Sequence, residues 1–346
     1  MESRVAKKEW IVTAPSFYKN ILLLSVPMIL QQLLRVSVDT LDSIMLGRID
    51  QLQMSAVSQA QQIFFIFYTI SCGFASGGCV LISQYWGKRD KESIKTLIAT
   101  SVRIIAALGI VFSAIVMIFP EQILSIYSSD PELIRLGASY LRVAAIMYPI
   151  CAVSAMLFAC CRGFEEMRVS FTTNAISYPL NVFLDYCLIF GNFGFPKLGI
   201  QGAAWGAVIA RVVELLILGR FVFRKEKNIG MRFKDMTRRD PKLRKDFICV
   251  GVPILLHELI WSTGTTAGSS ITGRMGTTIV AGYNIANTYY QLMACFMNSI
   301  LNACSVVIGM TIGSGADKRR IQKEAYSMIV IGLVGGSALG ILTLLF

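Results

Sequence analysis

Charge is scarce in this chain: only 16% of its 346 residues are Asp, Glu, Lys or Arg, against about 25% in an ordinary soluble domain. With 54% hydrophobic residues and a mean hydropathy of +0.60, a water-soluble globule is excluded. Histidine is scarcer still, His257 being the single copy. One histidine and no Cys/His cluster make a zinc centre improbable. No G-x-x-x-x-G-K-[ST] loop and no G-x-S-x-G elbow occur, so no energy-coupling ATPase is expected and no resident cofactor is implied. The N-terminus is polar to about Ser16 and lacks a small-residue cleavage site after a short apolar core, which predicts no removable signal peptide. The nine cysteines would form a disulfide framework in a short secreted protein. Here all of them lie in or at the edge of apolar runs and read as small core hydrophobes.

What the chain does have is long apolar runs of the length needed to cross a hydrocarbon core of roughly 30 Å as helix. They predict an all-α, polytopic membrane bundle of nine spans, at residues 19–45, 54–84, 94–119, 138–160, 169–190, 200–222, 247–271, 279–312 and 325–346. The loops between them alternate in charge. Lys and Arg number 4, 5, 2, 11 and 4 in residues 1–20, 85–103, 161–168, 220–246 and 313–324, which puts 26 of the 33 on one side. The positive-inside rule then predicts a cytoplasmic N-terminus in the plasma (inner) membrane. It also accounts for the net charge of +12 without nucleic acid, and a face this basic suits anionic membrane lipid.

Residues 220–246 form the longest polar segment and divide the chain into an N-terminal lobe (1–222), a basic cytoplasmic linker (223–246) and a C-terminal portion (247–346). The second part repeats the first. A shift of 226 residues aligns Val26-Pro27 with Val252-Pro253, Leu30 with Leu256, Leu33 with Leu259, Thr40 with Thr266, Ser43 with Ser269 and Gly47-Arg48 with Gly273-Arg274, eight identities in a window of 23. Six spans separate the copies, so both enter the membrane with the same polarity, as parallel repeats do. Symmetry then predicts three further helices beyond the three of the second repeat.

A charged side chain at mid-membrane costs at least ~2.5–3.5 kcal/mol on insertion scales, so each one needs a partner or a task. Arg35 and Asp39 lie four apart on one helix face and read as an ion pair. Asp42 lies three residues further along that face with its nearest cation engaged, which suits a carboxyl that takes and gives up a proton; the alternative is a wet helix end near Gly47. Asn181 and Asp185 are also four apart and offer oxygen ligands to Na⁺ or a proton relay, the alternative being a packing hydrogen bond between helices. Glu258, next to His257, is a lone intramembrane acid and so an additional candidate. Arg211 and Glu214, three apart, read as a structural pair. Pro27 and Pro253 each remove a backbone donor near the start of the first helix of their repeat, so Pro27 is a candidate gating kink. Phe64, Phe65, Phe67, Tyr68, Tyr283, Tyr289 and Tyr290 offer ring faces to a cationic ligand, with core or lipid packing as the commoner role.

Several runs carry a family resemblance. They are Asp42-Ser-Ile-Met-Leu-Gly47, Asp130-Pro131-Glu132, Tyr140-Leu141-Arg142, Arg162-Gly163-Phe164, the stretch from Asn181 through Asp185 to Gly191, Pro196 to Gly199, Gly202-Ala-Ala and Ala210-Arg211. Together they resemble the multidrug and toxic compound extrusion (MATE) transporters over nearly the whole chain. The resemblance implies two six-helix lobes and a monomeric secondary antiporter that exports cationic amphiphiles in exchange for H⁺ or Na⁺. It places the N-terminal-lobe cation site, with any bound Na⁺, at Asp42, Asn181 and Asp185. Members with a C-terminal-lobe acid carry it about one turn after Glu258, where this chain has Trp261; by the repeat, Glu258 answers Gln32 and Asp42 answers Gly268. Two rivals stand. A flippase for lipid-linked saccharides would want a cationic cavity, whereas the acids here favour cationic cargo. A membrane enzyme would need clustered His, Cys or acids at one face.

Overall fold

The computed structural model describes residues 11–47, 51–225, 229–273 and 277–345. It is helical throughout, with no strand among those residues. Eleven α-helices follow in order: α1 (Pro15–Gly47), α2 (Gln51–Gly87), α3 (Lys91–Ile118), α4 (Pro120–Leu124), α5 (Pro131–Ala144), α6 (Met147–Gly163), α7 (Met167–Phe190), α8 (Ile200–Arg220), α9 (Pro241–Gly273), α10 (Thr277–Gly313) and α11 (Lys318–Leu345). α1, α2, α3, α9, α10 and α11 are each long and apolar enough to cross a membrane, and α5 with α6 forms a seventh, bent candidate. α7 and α8 are long enough, at 24 and 21 residues, to extend roughly 36 and 32 Å, and they pack against each other.

Eleven helices stand where nine spans were expected, because α4 is a short extra turn and the fourth span is broken. α5 and α6 meet at 50° around Ala145 and Ile146. Pro149 supplies the physical reason. It has no N–H to give the carbonyl four residues back, which belongs to Ala145. That oxygen instead accepts the Ser113 hydroxyl of α3 at 2.6 Å and the Tyr148 N–H at 3.3 Å, so the break leaves no orphaned acceptor. Pro27, Pro179 and Pro253, by contrast, lie inside helices that run on without a break.

The two halves meet along α2, which packs on α6 of its own half and on α9 and α10 of the other. Glycines make this approach possible. A Cβ at Gly77 would stand 2.6 Å from Gly251 Cα, so that position of the α2–α9 crossing has no room for a side chain, and one at Gly251 would press on the Phe74 ring at 3.0 Å. Close small-residue crossings of this kind are how membrane helices gain packing without a hydrophobic driving force between them. Phe74 stacks on Phe247 beside the crossing, with ring centroids 6.1 Å apart. The seam runs toward the C-terminal end of α2 and gives the space between the halves a floor.

The basic linker is docked, not loose. Its helical turn Phe233–Thr237 packs on α3. Arg238 pairs there with Glu92 and with Asp235, the latter at 2.8 Å, while Arg103 donates to the Arg238 carbonyl. The Arg232 N–H donates to Asp235 Oδ2 at 2.8 Å. That backbone bond holds the Asp235 carboxyl below the usual carboxylate range, with Arg238 adding to the effect.

Candidate functional site

A cavity of about 710 Å³ opens above the seam, lined by α1, α2, α6, α7 and α8 from one half and by α9 and α10 from the other. Its aromatic surface comes from Phe64 and Tyr68 on α2, Phe158 on α6, Tyr178 on α7, Trp261 on α9 and Tyr290 on α10. Two of the other expected rings lie away from it. Phe67 is fully buried against Phe112 and Tyr148, and Phe65 faces outward, 49% exposed. Cys72 and Cys151 also line the cavity, and none of the nine cysteines is in a disulfide. Seven are buried, in keeping with a packing role.

The charged lining departs from expectation. Three arginines, Arg35, Arg162 and Arg211, face two glutamates, Glu214 and Glu258, so the described lining is not dominated by acids. Arg211 and Glu214 form the anticipated pair at 2.5 Å, with Glu214 buried and Arg211 over the Tyr178 ring. Arg35 lies over the Tyr68 ring, 4.9 Å from its centroid, and donates to the Tyr68 hydroxyl at 3.3 Å. Hydropathy alone places Arg162 in a loop. α6 runs one residue past it, to Gly163, and so carries it to the cavity wall. Glu258 is at the wall too, half-exposed, with His257 Nδ1 3.9 Å from its Oε1.

Asn181 and Asp185 come together as their spacing predicts. Asn181 Nδ2 donates to Asp185 Oδ2 at 3.0 Å, and both side chains are buried. With the amide nitrogen committed to the carboxylate, the amide oxygen is the group left to a cation. The pair lines a second pocket of about 60 Å³ with Gln61, Tyr140, Ile189 and two alanines of α8, large enough for a small, partly hydrated ion. α8 reaches this pocket through Gly206, where a Cβ would fall 2.1 Å from Asp185 Oδ1. Asn181 lines both the pocket and the main cavity and so joins them. The side chains of Asp39 and Asp42 lie outside the described residues; their backbone belongs to α1.

Sequence reasoning passed over Arg162, Asn174 and Tyr178. Part of the signal was there: Asn174, Tyr178, Asn181 and Asp185 recur at intervals of four, three and four, which is one face of a helix. The first three line the cavity. Reading Asn181 and Asp185 as an isolated pair hid the stripe they belong to.

A helical bundle of long apolar spans around a polar cavity is the architecture of a membrane carrier. A model of the MatE family matches residues 27–187 and 253–346, two stretches that start at Pro27 and Pro253, the positions the internal repeat aligns. The chain belongs to the MatE family: it is a multi-pass membrane transporter and not an enzyme. Among its relatives, the probable multidrug resistance protein NorM of Rhizobium meliloti is 29% identical over 327 residues, 94% of this chain and 69% of that protein. The probable multidrug resistance protein YoeA of Bacillus subtilis is 27% identical over 332 residues, 93% of this chain and 70% of that protein. In fold, the chain is similar to a multidrug resistance MATE family transporter of the MOP superfamily solved in an outward-facing conformation, with a TM-score of 0.85 at 20% identity over all of this chain and 75% of that one. It is also similar to a MATE protein solved in a straight conformation, with a TM-score of 0.83 at 21% identity over 93% of this chain and 71% of that one.

Proposed function

We propose that the protein is a multidrug exporter, moving amphiphilic cationic drugs out of the cell in exchange for H⁺ or Na⁺ by alternating access of its two halves. The observation that carries this reading is the pair of joined compartments: a large aromatic cavity sized for a drug and a small carboxylate pocket sized for an ion, sharing Asn181. Occupation of the small compartment can then be felt in the large one through a single side chain. The driving force is adequate, since one proton entering down 100 mV releases ~2.3 kcal/mol, enough for more than a tenfold drug gradient.

In this reading Asp185, Asn181 and Asp42 form the coupling site, Glu258 is a subsidiary acid and Pro27 is a point where α1 bends between states. The protein works as a monomer in the plasma membrane with its N-terminus and linker in the cytoplasm. The relatives' names, which describe probable multidrug resistance proteins, support drugs as the cargo. The test is Asp42→Asn, which keeps the size of the side chain and removes its charge. Drug-driven H⁺ or Na⁺ exchange should disappear while membrane insertion and yield are retained. Exchange at the unmodified rate would take Asp42 out of the mechanism.

A further inference from the structure

Below the cavity the two halves close on each other at the C-terminal ends of α2 and α10. Their backbones touch there: a Cβ at Gly87 would strike the Met310 carbonyl, and one at Gly313 the Gln84 carbonyl. In the proposed topology this crossing faces the cytoplasm. The end of α10 is tied to the start of α11 through Glu324, which is 4% exposed. Its carboxylate accepts the Thr311 hydroxyl of α10 at 2.6 Å and the Arg320 Nε–H of its own helix at 3.0 Å. Whatever moves the crossing on the α10 side therefore carries the first turns of α11 with it.

One residue ahead of α1 spans this joint. The Val12 carbonyl accepts the Tyr18 hydroxyl at 2.8 Å, which fastens it to the first turn of α1. The Val12 N–H donates to Ser327 Oγ, also at 2.8 Å, which fastens it to α11. Ser327 lies three residues beyond Glu324 and is 0% exposed. Its hydroxyl proton goes to the Lys323 carbonyl at 2.9 Å, so the oxygen is left as an acceptor, and the Val12 N–H meets it. A hydrogen bond of 2.8 Å does not survive a separation of more than about 1 Å. The bond to Ser327 must therefore break when α11 draws away from α1, while the bond to Tyr18 stays within the first half.

Resting on the exporter reading, we propose that residues 11–14 are a strap that holds the cytoplasmic end of the carrier closed, with Val12 as its bridging residue, Tyr18 as its anchor on the first half and Ser327 as its catch on the second. The strap is fastened in the state described here, in which the α2–α10 crossing is shut. When that crossing parts, the buried Ser327 oxygen has to exchange the Val12 N–H for water. The strap thus weights the balance between the two states of the transport cycle, and the net worth of one hydrogen bond sets its effect at roughly three- to tenfold.

The test keeps Cys72, which lines the cavity, as the only cysteine. In inside-out membrane vesicles an impermeant thiol reagent reaches Cys72 only when the cytoplasmic end is open. Ser327→Ala and Tyr18→Phe each remove one of the two bonds, and each should raise the labelling rate three- to tenfold at unchanged protein yield. The converse experiment locks the strap. In a cysteine-free background, Val12→Cys combined with Ser327→Cys should lose at least nine-tenths of drug export when oxidised to the disulfide and regain it on reduction. Unchanged labelling in Ser327→Ala, or full export with the disulfide closed, would overturn the strap and leave the exporter reading standing. No labelling of Cys72 from the cytoplasmic side in any of these proteins, with drug present, would overturn both.

Discussion

Arg211 and Glu214 show how a membrane protein keeps buried charges by pairing them. Glu214 is almost fully buried and depends on the guanidinium at 2.5 Å. Breaking such a pair from one side leaves an uncompensated charge, at a cost of about 3–5 kcal/mol. Glu214→Gln should therefore lower the melting temperature by several degrees in a detergent thermal-shift assay, and Arg211→Met with Glu214→Leu should recover most of the loss. If the double variant were less stable than the single one, the pair would be more than mutual neutralisation. This pair and the Asn181–Asp185 hydrogen bond could both be read from residue spacing, because i+3 and i+4 neighbours share a helix face whatever the fold. Arg162 could not. Its role depends on where α6 ends, and a shift of one turn in that boundary separates a loop cation from a cavity wall.

At the scale of elements, the broken fourth span and the docked linker are the two features that patterning did not reach. The break turns on a single missing N–H at Pro149 and a hydroxyl on another helix, Ser113, that takes its place. Hydropathy averages over both. The linker reads from sequence as a basic segment between two apolar stretches, and its clasp on α3 relies on Glu92, a residue distant in sequence. The clasp also has a pH dependence of definite sign. Asp235 is held below the ordinary carboxylate range in the folded protein, so its contribution is fully present above about pH 4 and is lost as the pH falls through the lowered folded value. Hydrogen exchange of residues 229–240, corrected for the intrinsic rate, should show protection steady from pH 8 to pH 5 and falling near pH 3. Asp235→Asn should show the weakened state already at pH 7. Protection that rises on acidification would mean the clasp is held by something other than these carboxylates.

The whole molecule was the most legible level. Span lengths, the charge alternation of loops and the 226-residue repeat all follow from constraints the bilayer imposes on every segment at once, and the family match begins anew at the repeat. Orientation adds a direct prediction. In a cysteine-free background, Lys197→Cys should label with an impermeant thiol reagent in intact cells, and Lys234→Cys only after permeabilisation. Labelling of Lys234→Cys from outside would reverse the proposed topology.

The central claim is that ion coupling resides in the Asn181–Asp185 pocket of the first half, with Glu258 subsidiary. Drug-induced release of H⁺ or Na⁺ from proteoliposomes, at matched protein content, tests it most directly. Asp185→Asn should lose at least nine-tenths of the exchange rate, and Glu258→Gln should keep half or more. Unchanged exchange in Asp185→Asn alongside its loss in Glu258→Gln would contradict the account and move the coupling site to the second half.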